Sequence, residues 1–112
     1  MSKRPGSRAV KQELFLKCGR VDMYNMEKYV KEKLVLHHWP PFRLTGHTIY
    51  EESYILSEET HIELHKLELD DREEFERRME IIKENKKILE RKRGYAWVYI
   101  LYFFIDIIRL LL

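Results

Sequence analysis

The chain has 112 residues, 21 Lys and Arg against 19 Asp and Glu, and a hydrophilic mean hydropathy of −0.51. That length admits one small domain with a tail and excludes a large multi-domain enzyme, while the mean hydropathy excludes a polytopic membrane protein. Aromatics at 12% and hydrophobics at 45% exclude a wholly disordered chain, and the lone cysteine, Cys18, excludes an internal disulfide framework and a four-cysteine zinc site.

The near-neutral total hides blocks of opposite sign. Residues 1–43 carry a net +6, residues 44–69 a net −5, residues 70–93 a net +1, and residues 94–112 only Asp106 and Arg109. Residues 1–11 read as a flexible basic arm, since Pro5, Gly6 and Ser7 oppose regular structure. The arm is either a solvated terminus or a phosphate-contacting segment. It holds no apolar stretch of the kind a secretory signal needs, so a cytoplasmic, reducing setting is expected.

Within residues 12–33, the spacing of Met23, Met26, Tyr29, Val30 and Leu34 predicts a short helix from about Met23 to Lys33. The run Leu34-Val35-Leu36-His37-His38 predicts a strand, ended by Pro40 and Pro41, which cannot donate to a ladder. Residues 39–52 read as a loop turning near Gly46, and Ser53-Tyr54-Ile55-Leu56 as the returning strand. Ser57 followed by Glu58 and Glu59 marks a helix start, because the hydroxyl caps open N–H groups and the acids suit the positive end of the helix dipole. Residues 58–93 lack Gly and Pro and form one long helix, or two broken near Leu69-Asp70-Asp71. Phe75, Met79, Ile82 and Leu89 make an apolar stripe on the later portion, widened by Ile81 and Ile88. The stripe serves either ordinary packing or self-association through residues 71–93.

Residues 95–112 are an apolar run preceded by Arg91-Lys92-Arg93. Eighteen helical residues span about 27 Å, close to the ~30 Å hydrocarbon thickness of a bilayer. Tyr95, Trp97 and Tyr99 suit an interface, which fits a C-terminal anchor with the N-terminal part in the cytoplasm. The competing reading is a core or interface helix with Asp106 and Arg109 turned outward.

The chemistry concentrates in five histidines within 29 residues: His37, His38, His47, His61 and His65. His61 and His65 are i, i+4 on the helix capped by Ser57 and therefore share a face, where two imidazoles can hold one divalent metal. His47 reads as an ordinary loop histidine. Trp39 and Phe42 read as packing residues closing the loop, and Cys18 as a buried thiol with no base beside it.

The order Leu36-His37-His38-Trp39-Pro40, Thr45-Gly46-His47-Thr48, Glu52-Ser53-Tyr54-Ile55-Leu56-Ser57 and Thr60-His61-Ile62-Glu63-Leu64-His65 resembles the HNH endonuclease family. The resemblance covers about residues 15–67. It implies an α+β chain in which a ββα-metal module over 12–69 follows the arm at 1–11. A charged amphipathic helix over 70–93 and an apolar C-terminal helix over 94–112 complete it.

The resemblance further implies that His38 is the general base activating water, with His37, His61 and His65 as metal ligands. The cofactor would be a divalent ion, Mg²⁺, Mn²⁺, Ni²⁺ or Zn²⁺, stabilising the negative charge that develops on a phosphodiester. Glu52 stands at the family's loop-orienting asparagine position. Phe15, Cys18, Ser57 and Thr60 stand at its zinc-knuckle positions, so that structural zinc is lost. Lys3, Arg4, Arg8, Lys11 and Arg43 would contact nucleic acid, DNA before RNA. The expected function is metal-dependent hydrolysis of nucleic-acid phosphodiester bonds, or nucleic-acid binding by an inactive relative. The alternative is a membrane-tethered helical adaptor.

Overall fold

A computed structural model describes residues 6–39 and 48–112. The chain is α+β: helix α1 (Ser7–Cys18), strand β1 (Leu34–His38), strand β2 (Ser53–Ser57), helix α2 (Glu58–Asp70) and helix α3 (Arg72–Leu111). Single turns of 3-10 helix, Lys31–Lys33 and Tyr50–Glu52, lead into the two strands. The strands pair antiparallel with Leu34 opposite Ser57, His37 opposite Tyr54 and His38 opposite Ser53.

Two expectations need correction. The basic arm is shorter than 1–11, because Ser7 to Lys11 belong to α1, which starts directly after Gly6. Leu14 and Cys18 bury one face of that helix, and this packing outweighs the weak local propensity. The helix expected from Met23 to Lys33 is instead a turn and an extended segment. There the Asp22 carboxylate accepts the N–H groups of Tyr24 (2.7 Å) and Asn25 (3.4 Å), and Asn25 Oδ1 accepts that of Glu27 (2.9 Å). Such local side-chain acceptors compete with helical bonding, and Met26, at φ 65°, completes the turn in the left-handed region. The stripe on α3 serves packing, the first of its two readings: Phe75, Met79, Ile82 and Leu89 are buried in the chain's own core, leaving Ile88 exposed and Ile81 half-buried.

The core draws on every element: Leu14 and Cys18 from α1, Leu34 from β1, Ile55 and Leu56 from β2, Leu64 from α2, and the α3 stripe. Trp39 packs edge-on against Phe75, ring centroids 4.9 Å apart, as a packing residue should. Asp71 separates α2 from α3 where a break was expected, its carboxylate capping Glu74 N–H at 3.2 Å.

The start of α2 is fixed twice. Ser57 Oγ accepts the Thr60 N–H at 3.2 Å, and the buried Asp22 carboxylate accepts both Ser57 N–H (3.1 Å) and the Thr60 hydroxyl (2.6 Å). The Asp22 carboxylate thus holds the start of α2 to the 20–30 segment.

The helical portion of 70–93 and the apolar run are one helix, and α3 is 40 residues long. Every described side chain from Val98 to Leu112 is exposed, so the last four turns project beyond the core. The molecule measures 63 × 29 × 24 Å, the long axis reflecting that projection.

Candidate metal centre

Side chains alternate along β1, so His37 and His38 face opposite sides of the hairpin. His37 shares its side with its cross-strand partner Tyr54, and α2 lies against it there: the His37 ring centroid is 5.3 Å from that of His61 and 5.5 Å from that of His65. The link from Ser57 at the end of β2 straight into α2 has no intervening loop, which sets the first two turns of α2 over the hairpin.

His37, His61 and His65 each turn a ring nitrogen into one space, with all three ligand atoms within 4.8 Å of one another. His61 Nε2 and His65 Nε2 are 3.0 Å apart. Two nitrogens 2.0–2.1 Å from a common tetrahedral ion would be about 3.3 Å apart, so the pair is set for a shared ion with little adjustment. Burial runs from His37, 3% exposed, through half-buried His61 to exposed His65. The centre is thus anchored on the inside and open on the outside. Three imidazoles with an open side match a site with three protein ligands and one exchangeable position. An all-nitrogen set suits Zn²⁺ or Ni²⁺ better than Mg²⁺, which prefers carboxylate and water oxygens. Glu68 Oε1 lies 3.7 Å from His65 Nδ1, where a carboxylate can orient the imidazole.

His38 is not brought into this group. It ends β1 with Nδ1 3.5 Å from Ser53 Oγ, and that hydroxyl donates to the Ile49 carbonyl at 2.6 Å. A hydroxyl whose hydrogen is committed in this way can accept from Nδ1–H, so the contact is compatible with an imidazole protonated on Nδ1.

Glu52 acts through its main chain. Its carbonyl accepts the Trp39 N–H at 2.9 Å and ties the end of β1 to the entry of β2, a contact indifferent to the side chain. Of the residues expected to meet nucleic acid, Arg8 is exposed on α1, whereas Lys11 donates to the Leu34 carbonyl at 2.7 Å and braces the hairpin. Lys3, Arg4, Arg43, Phe42 and His47 lie outside the described residues.

Two buried groups escaped sequence reasoning. Asp22 is the hub described above. Lys86 on α3 is 5% exposed and donates to the carbonyls of Tyr50 (2.6 Å) and Ser53 (3.0 Å), while burial pushes its ammonium below the ordinary lysine value. Beside it Tyr50 donates to Glu90 at 2.8 Å, and the Cys18 thiol, pushed up to about 11 by burial, lies 4.0 Å from the Tyr50 hydroxyl. Both charges looked like members of solvated runs. The one signal available for Lys86 was its i+4, i+7 spacing from the stripe residues Ile82 and Met79.

Comparison with known proteins finds no match: no family model, no curated protein and no solved structure.

Proposed function

We propose that the chain is a small metal-dependent phosphodiesterase acting on nucleic acid, arranged like the HNH endonucleases around His37, His61 and His65. The convergence of those three imidazoles, from a strand end and one helix face, carries the reading. A divalent ion bound there would supply positive charge against the negative charge that develops on the phosphodiester. In this reading His37, His61 and His65 hold the ion and Glu68 orients His65. His38, expected as the general base, faces the other side of the hairpin on Ser53 and is left out of the reaction in this reading. The Arg8 guanidinium supplies a phosphate contact.

The test is nicking of supercoiled plasmid by the purified chain with Zn²⁺, Ni²⁺, Mn²⁺ or Mg²⁺, with and without chelator, beside metal analysis. His61→Ala should lose both the metal and the cleavage. His38→Ala, on the other side of the hairpin, should keep both the metal and the cleavage. A chain that takes up no stoichiometric metal, or a His61→Ala variant that cuts as well as wild type, overturns the assignment.

A separate observation supports a membrane attachment. The apolar end of α3 is long and apolar enough to cross a bilayer, and none of that stretch is buried in the protein. In this reading residues 95–112 anchor the module with the N-terminal part in the cytoplasm. Protein released from membranes by alkaline carbonate would refute it.

A further inference from the structure

A groove runs between the C-terminal turn of α1, the 20–29 segment and α3 at Lys92 and Arg93. Its four charged lining residues, Arg20, Lys28, Lys92 and Arg93, are all cations, and no carboxylate lines it. All four are exposed. Tyr29 and Phe15 supply apolar walls, and the groove encloses about 870 Å³. It is set apart from the metal centre, which uses β1 and α2.

Gly19 explains why the arginine reaches the groove. Its φ of +87° ends α1 in a conformation L side chains avoid, and a Cβ there would stand 3.0 Å from Arg93 Nη2. The missing side chain lets the guanidinium of α3 lie across the end of α1. A second basic recess adjoins the groove through Phe15, Leu16 and Arg20, and adds Arg8, Lys11 and Lys31 against a single Glu32.

The position along α3 identifies the occupant. Arg93 is two residues before the apolar run, a rise of about 3 Å along the helix. If that run enters a bilayer, the groove lies at headgroup depth. Four or more Lys and Arg immediately outside a spanning helix attract anionic lipid. We infer that the Arg20, Lys28, Lys92 and Arg93 groove is a docking surface for the headgroups of anionic phospholipids. This inference rests on the membrane reading of 95–112 and is independent of the nuclease reading. Nucleic acid shares the charge complementarity but gives no reason for cations clustered against the foot of an exposed apolar helix.

The full chain reconstituted in phosphatidylcholine vesicles, probed with spin-labelled phosphatidylglycerol or spin-labelled phosphatidylcholine, separates the possibilities. Motionally restricted phosphatidylcholine reports insertion of the helix, and its absence refutes the membrane reading itself. Given insertion, wild type should prefer phosphatidylglycerol about tenfold at low salt, and the preference should fall as NaCl screens the groove. Lys28→Gln/Lys92→Gln/Arg93→Gln should bring the preference close to one with unchanged helicity. Arg20→Gln/Lys28→Gln, confined to the surface segment, should lower it partway, and Lys28→Arg/Lys92→Arg should keep it. No preference in wild type, or an undiminished one in the triple Gln variant, overturns the inference. A duplex oligonucleotide that displaces phosphatidylglycerol from wild type, and fails to bind the triple variant, assigns the groove to nucleic acid and overturns it equally.

Discussion

Asp22 is the residue on which the arrangement of the module most depends. It is fully buried and accepts four hydrogen bonds, two within its own turn and two at the start of α2. Removing a buried charged acceptor strands its donors, so Asp22→Ala should lower stability by about 3 kcal/mol in urea denaturation. It should also weaken metal uptake, because α2 carries two of the three imidazoles. Asp22→Asn keeps the shape but has one acceptor oxygen, and should fall between wild type and alanine. Cys18 gives a prediction in pH. Burial raises its thiol from 9.0 to about 11, so the folded chain keeps a proton that the unfolded chain gives up. The stability tied to that proton is complete below pH 9 and is lost as pH climbs to about 11, a change of roughly 2–3 kcal/mol. Denaturation midpoints at pH 8 and pH 11 should therefore separate more in wild type than in Cys18→Ala. Lys86 acts in the opposite sense: its lowered value makes the folded state gain with rising pH up to its ordinary value near 10.5.

Among the elements, α2 carries two of the three clustered imidazoles and α3 the apolar run, and both depend on how they begin or continue. The Ser57 side chain caps α2 and bonds the Thr60 hydroxyl at 3.0 Å. Ser57→Ala should cost about 1 kcal/mol of stability and loosen the first turn, next to His61. Under the proposed metal reading, zinc affinity read by competition with a chelating dye should fall while cleavage survives at saturating metal. On α3, Gly94 is the weak point of an otherwise good helix, and a Cβ there meets nothing within 4 Å. Gly94→Ala should raise the helical circular-dichroism signal and join the charged and apolar halves more rigidly, leaving the unfolding midpoint of the core unchanged. A loss of helical signal would mean that the helix bends at Gly94.

Across the whole molecule, the core ends before the apolar run begins. Leu89 is the last residue of the buried cluster, and the exposed stretch from Val98 onward adds nothing to it. A chain ending at Arg93 should therefore unfold at the same denaturant concentration as the full chain, bind zinc equally well and need no detergent. A truncated chain that melts early would show that the apolar run has a protein partner in the native fold, a result that a calorimetric scan would reveal directly.

The sequence by itself determined the local pieces. The apolar run into His37-His38 specified a strand, Ser53-Tyr54-Ile55-Leu56 its partner and Ser57 a cap, because such signals act over a few residues, while a break near Leu69-Asp70-Asp71 was one of two readings and the structure places it at Asp71. The i, i+4 spacing of His61 and His65 also specified one helix face. Only the tertiary structure decided the rest. Packing made α1 out of half the presumed arm, and it turned the stripe of α3 inward. Burial gave Asp22 and Lys86 their structural roles, which no charge pattern distinguishes from solvated neighbours. The tertiary structure also decided which histidine of the adjacent pair joins the centre. A strand turns neighbours to opposite sides, and α2 packs on one side only, so His37 meets His61 and His65 while His38 meets Ser53.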